Sequence, residues 1–151
     1  MTLAVTPESW DSVDATALRE AQQRELRARY DGDAEPGVKP SAGDIDAFFV
    51  GRDAAGEAIA CGGLRRLDAT SGEIKRMYVR PDRRGTGAAR AVLDVLEAHA
   101  EAAGWTHLRL ETGVRQPEAI AFYTRAGYRP IPNFGPYAGS ATSACFERAL
   151  V

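Results

Sequence analysis

The chain has 151 residues and a mass of 16.2 kDa, about the size of one domain. Apolar residues make up 44% and charged residues 26%, which excludes a disordered or low-complexity chain. The formal net charge is −2, no apolar run reaches the ~18 residues of a membrane span, and no basic-then-apolar leader opens the sequence, so a soluble cytoplasmic protein is expected, with neither membrane nor nucleic acid as partner.

From Ser12 to Tyr30 the apolar positions Val13, Ala17, Ala21, Leu26 and Ala28 recur at loosely helical spacing before Asp31-Gly32, which predicts a polar surface helix in two pieces. Gly32 to Asp44 has the composition of a loop able to cover a site. Ile45 to Gly51, the turn Arg52 to Gly56, and Glu57 to Leu67 predict a β-hairpin, with Gly62 and Gly63 marking a bulge. In the next strand, alternation places Glu73, Lys75, Met77 and Val79 on one face and Ile74, Arg76 and Tyr78 on the other. Neither face is purely apolar, so something polar should lie alongside. Ala88 to Ala103 sets Ala89, Val92, Leu93, Leu96 and Ala100 at helical spacing, with Gly104 as the stop. Thr106 to Thr112 alternates as a strand, and Pro117 to Ala126 is a short helix closed by Gly127. Tyr128 to Ile131 and Thr142 to Leu150 are two further strands around a Pro-, Gly- and Tyr-rich loop. This alternation predicts one α/β domain over residues 1–151. Cys61 and Cys145 show no CxxC spacing and no cluster with His99 or His107, so no metal site or disulfide framework is expected.

Chemistry concentrates in one segment. Between Lys75 and Arg90 stand six basic residues and one acid, Asp82, which marks either a solvated face or a surface for an anion. Within it, Arg83 to Ala89 joins a strand to a helix, where unpaired backbone N–H groups and the positive helix end converge on a phosphate. A tight turn needing glycine would read the same way. The loop is not a dinucleotide fingerprint, because Arg90 stands where the third glycine should be, and it is not a P-loop, because no Gly-Lys-Ser/Thr follows.

Val79-Arg80-Pro81-Asp82-Arg83-Arg84-Gly85-Thr86-Gly87-Ala88-Ala89 resembles the acyl-CoA signature of the GNAT superfamily of N-acetyltransferases, with Arg84, Gly87 and Ala89 at its defining places. The run Gln116-Pro117-Glu118-Ala119-Ile120-Ala121-Phe122-Tyr123-Thr124-Arg125-Ala126-Gly127-Tyr128 matches a second motif of that family, departing only in Gln116 for Asn. The resemblance implies a mixed α/β fold: a mostly antiparallel sheet of about six to seven strands, flanked by about four helices and splayed between two central parallel strands. It implies acetyl-CoA as cosubstrate, no metal, and a small amine as acceptor. The diphosphate would rest on the N–H groups of Arg84, Gly85, Thr86, Gly87, Ala88 and Ala89, with Arg83, Arg84 or Arg90 meeting the remaining charge. Pantetheine would lie along Met77, Tyr78 and Val79 and beside Gln116 and Tyr123.

The reaction asks for a base to take the amine proton and an acid to meet the leaving thiolate. Tyr123 matches the family's acid; the lesser alternative is a helix tyrosine packed in the core beside Phe122. Glu73 is the first candidate base, and Glu111 or water the second. Glu73 could instead be a strand charge paired with Lys75 or an arginine. A backbone N–H near Met77 or Tyr78 would meet the oxyanion. Acceptor specificity is expected where the family pattern is weakest, with Arg29, Tyr30, Glu111 and Tyr137 as candidates, and arginines there would suit a carboxylated amine. The alternative is a non-catalytic acyl-CoA-binding or regulatory module of the same fold. Dimerisation, common in the family, makes a homodimer an expectation that no residue here carries.

Overall fold

The computed structural model describes residues 3–30 and 40–150. Most of the expected Gly32 to Asp44 loop therefore lies outside the described residues. Seven strands form one sheet: β1 (Ala4–Pro7), β2 (Ala47–Arg52), β3 (Ala58–Arg66), β4 (Ser71–Val79), β5 (His107–Gly113), β6 (Arg129–Ile131) and β7 (Ser143–Ala149), in the order β1-β2-β3-β4-β5-β7-β6. Every neighbouring pair is antiparallel except β4 and β5. This is the mixed, mostly antiparallel sheet that the resemblance implies.

Three α-helices are present among the described residues: α1 (Val13–Tyr30), α2 (Ala88–Ala102) and α3 (Pro117–Arg125). Two short 3-10 turns accompany them, Pro81–Arg83 and Gly135–Tyr137. On one face of the sheet, Val92, Leu93, Leu96 and Ala100 of α2 bury against Ile59, Leu64, Ile74, Leu108 and Leu110, and Tyr123 and Ala126 join the same cluster. On the other face, Ala15 and Leu18 of α1 pack on Phe48, Val50, Cys61 and Tyr78.

α1 is one continuous helix, not the two pieces expected from its loose spacing. The Ser12 hydroxyl accepts from the Ala15 N–H at 3.0 Å at its start, and Asp14 in the first turn and Arg27 and Arg29 in the last complement the helix dipole. Only Ala15 and Leu18 of α1 are fully buried. Its spacing is loose because the rest of its inward face lies over an opening instead of a core.

That opening begins where β4 and β5 part. Their pairing runs only from Ser71↔His107 to Ile74↔Leu110, so Lys75–Val79 and Glu111–Gly113 diverge. A bulge in β4 contributes to the geometry. Cys61 pairs with Tyr78 and Gly63 with Lys75, so three steps of β4 span two of β3. The expected bulge is therefore present, but the extra residue belongs to β4, where Arg76 takes a φ of 59°. The shift overturns the strict alternation read from the sequence: Ile74 and Val79 now share the α2 side, with Met77 packed against it, while Tyr78 turns to α1. Gly62 permits this, since a Cβ there would lie 2.8 Å from Met77 Sδ and 3.0 Å from Val92.

Candidate active site

The site is assembled from the loop upward. After the turn Pro81–Arg83 the chain passes through Gly85 at φ 77° and Gly87 at φ 89°, conformations in which glycine carries no Cβ penalty. α2 then starts at Ala88 with no side-chain cap, so the first-turn N–H groups are free of intrahelical partners and point out of the helix start. Thr86 closes the loop by donating its hydroxyl to the Arg83 carbonyl.

The local basic excess is largely neutralised within the protein. Arg80 pairs with Glu57 and Asp82, Arg83 with Asp53, and Arg90 with Asp94. Arg84 is placed differently. Its Nε donates to the Val79 carbonyl at 2.9 Å, and its Nη2 reaches Glu25 of α1 at 2.9 Å.

Between this loop, the diverging end of β4, α1 and α3 lies a chamber of about 270 Å³. Of the residues predicted to bind the carrier, Met77, Tyr78, Val79, Arg84, Gly85, Ala89, Gln116 and Tyr123 line it. Thr86, Gly87 and Arg90 lie outside that wall and Ala88 is buried in the core, which leaves this part of the loop to act through its backbone. A second chamber of about 110 Å³ continues between the parted strands, lined by Lys75, Arg76, Glu111 and Thr112. Gln22, Leu26, Met77, Gln116, Ala119 and Tyr123 border both chambers, so the two adjoin across the splay.

Tyr123 stands at the junction. It is 7% exposed and packs edge to face with Phe122 and Tyr128, at ring distances of 5.1 and 5.7 Å. Burial raises its phenol above the ordinary tyrosine value, so it stays protonated at neutral pH. Gln116 is fixed by its Oε1, which accepts from the Gly113 N–H at 2.9 Å.

The two glutamates occupy different surroundings. Glu73 is 1% exposed and does not border either chamber. Arg65 donates to its Oε1 at 2.9 Å, and the Tyr137 hydroxyl donates to its Oε2 at 2.6 Å. Lys75 Nζ lies 3.6 Å from that same oxygen and donates to the Tyr137 hydroxyl at 2.9 Å. Tyr137 is thus a buried clamp on Glu73 and Lys75. Glu111 lines the second chamber, and the Ser143 hydroxyl donates to its Oε2 at 2.7 Å.

Arg29 and Tyr30 tie the end of α1 to the connection between β5 and α3. Arg29 pairs with Glu118, and the Tyr30 hydroxyl accepts from the Arg115 N–H at 3.0 Å. Neither borders a chamber. Cys61 donates its thiol to the Arg76 carbonyl at 3.3 Å, and burial pushes that thiol up to about 12; Cys145 is buried and raised as well. Neither is placed to act as a nucleophile.

Sequence reasoning missed Gln22, Glu25 and Leu26, which bring α1 to the wall of the larger chamber. Their i, i+3, i+4 spacing puts them on one face of the helix.

The splayed sheet, the glycine loop at a helix start and the paired chambers between them point to a class of protein, and sequence comparison agrees. The chain belongs to the acetyltransferase (GNAT) family, whose model matches residues 10–128. It is 35% identical over 129 residues to a protein from Azospirillum brasilense named IAA acetyltransferase, covering 81% of this chain and 84% of that one. Among solved structures, a Klebsiella pneumoniae chain assigned to the acyl-CoA N-acyltransferases superposes with a TM-score of 0.85 at 30% identity, covering 99% of each chain. A GNAT family acetyltransferase from Elizabethkingia anophelis with acetyl-CoA bound shares the fold at a TM-score of 0.72 and 15% identity, over 97% of each chain.

Proposed function

We propose that this chain moves the acetyl group of acetyl-CoA to the primary amine of a small molecule or peptide, by direct attack within a ternary complex. The observation that carries this reading is the pair of adjoining chambers at the splay: the glycine loop and the β4 edge on one, Glu111 and Lys75 on the other, Tyr123 bordering both. The diphosphate would rest on the loop amides and the pantetheine arm along the β4 edge. The amine would enter by the second chamber and attack the thioester carbon. As the carbon–sulfur bond breaks, the departing thiolate would accept the hydrogen bond of the Tyr123 phenol, which burial keeps protonated, or its proton. The amine proton would pass to Glu111 directly or through water, whereas Glu73 could receive it only by way of Tyr137 and Lys75. Buried, raised thiols support direct transfer over a route through an acyl-cysteine.

The test is thiol release from acetyl-CoA across a panel of amines, amino acids, polyamines and lysine peptides. At least one acceptor should raise thiol release well above hydrolysis. With it, Tyr123→Phe should lower kcat about 10²-fold while the Kd for acetyl-CoA changes little. Binding of acetyl-CoA with no turnover on any acceptor would favour a non-catalytic module, and an unchanged kcat would remove Tyr123 from the chemistry.

A further inference from the structure

The place that a diphosphate would take on Arg84 already holds a carboxylate. Glu25 of α1 receives Arg84 Nη2 on both oxygens, at 2.9 and 3.2 Å, and its side chain is 33% exposed on the wall of the larger chamber. Nearby, Gln22 Nε2 donates to the Met77 carbonyl at 2.7 Å, and Arg84 Nε donates to the Val79 carbonyl. Both carbonyls belong to the part of β4 that lies beyond its last pairing with β5. The protein thus satisfies two carbonyls of that strand, and the arginine of its glycine loop, with its own side chains.

The other loop arginines differ in one respect. The carboxylates that hold Arg80, Arg83 and Arg90 do not line the chamber, whereas Glu25 does. Glu118, a second acid on that wall, is held by Arg29. An anion arriving at the loop therefore meets Glu25 twice, as a competitor for Arg84 and as a like charge close to its path.

We propose that Glu25 sets the affinity for the acyl carrier: it occupies Arg84 in place of the diphosphate, so the carrier binds more weakly and coenzyme A leaves more readily than the loop alone would dictate. This rests on the acyl-CoA reading above. Part of the binding free energy goes into separating an existing ion pair, and α1, which carries both Gln22 and Glu25, is the element that must yield.

Isothermal titration of the full chain with coenzyme A tests it. Glu25→Gln keeps the shape of the side chain and removes its charge, and is expected to bind coenzyme A about tenfold more tightly than the wild type. Glu25→Ala should shift affinity in the same direction, with thermal melting to verify that both variants fold. Unchanged or weaker binding by the folded variants would overturn the proposal, because Glu25 would then be indifferent to Arg84 or would help it meet the carrier. A wild type that gives no heat with millimolar coenzyme A, while the variants give none either, would overturn the acyl-CoA reading itself.

Discussion

Glu73 and Glu111 lie on adjoining central strands but differ in what their oxygens already hold. Glu73 sits between Arg65 and Lys75 with Tyr137 donating to it, so Glu73→Gln would leave two cations without their shared anion. Loss of one member of so buried a group is expected to cost roughly 3 kcal/mol or more, read as a lower denaturant midpoint. Glu111→Gln should lower kcat by about 10²-fold and flatten the basic rise of the pH-rate profile. A flattened profile in Glu73→Gln, with Glu111→Gln unaffected, would return the proton to Glu73. Gly113 shows how closely the roof of the site is fitted: a Cβ there would fall 1.7 Å from the Tyr30 hydroxyl. Gly113→Ala should therefore push the end of α1 away from β5 and destabilise the fold by about 1–3 kcal/mol, measurable by chemical denaturation.

The elements explain which parts of this molecule were legible in the sequence. α2 is readable because its apolar positions repeat at helical spacing on a single buried face, and the turn before it because Gly85 and Gly87 stand between a strand and that helix start. The faces of β4 were not. Its bulge turns on Arg76, an ordinary residue at positive φ that nothing in the composition marks, and one extra residue is enough to exchange every side chain beyond it. β1 escaped notice as a four-residue edge strand ending in proline. The contribution of α1 was hidden for a different reason: a helix that faces a chamber carries polar residues on both sides, so polarity does not tell its inward face from its outward one. The role of the bulge can be tested through its glycine. Gly62→Ala would crowd Met77 Sδ, Val92 and Leu96, and should raise the KM for acetyl-CoA by driving Met77 toward the chamber.

For the whole molecule, two buried phenols set a limit on the alkaline side. Burial raises both Tyr123 and Tyr128, and the latter also donates to Glu97 at 2.8 Å. A group with a raised folded pKa contributes its full stability below its unfolded value of about 10, and loses it as pH climbs past that value. Melting temperature should therefore be insensitive to these tyrosines between pH 7 and about 9 and fall above about pH 10, with a shallower fall in Tyr123→Phe.

The four residue pairs from Ser71↔His107 to Ile74↔Leu110 are the strand pairing that joins the two halves of the sheet. The crevice proposed for the reaction and the mechanical seam are consequently the same place. A carrier whose amides took the Met77 and Val79 carbonyls from Gln22 and Arg84 would lengthen that stitching, so occupancy should be felt as stiffness across the molecule: slower amide exchange at Lys75–Val79 and Glu111–Gly113, and a firmer hem between the two leaves.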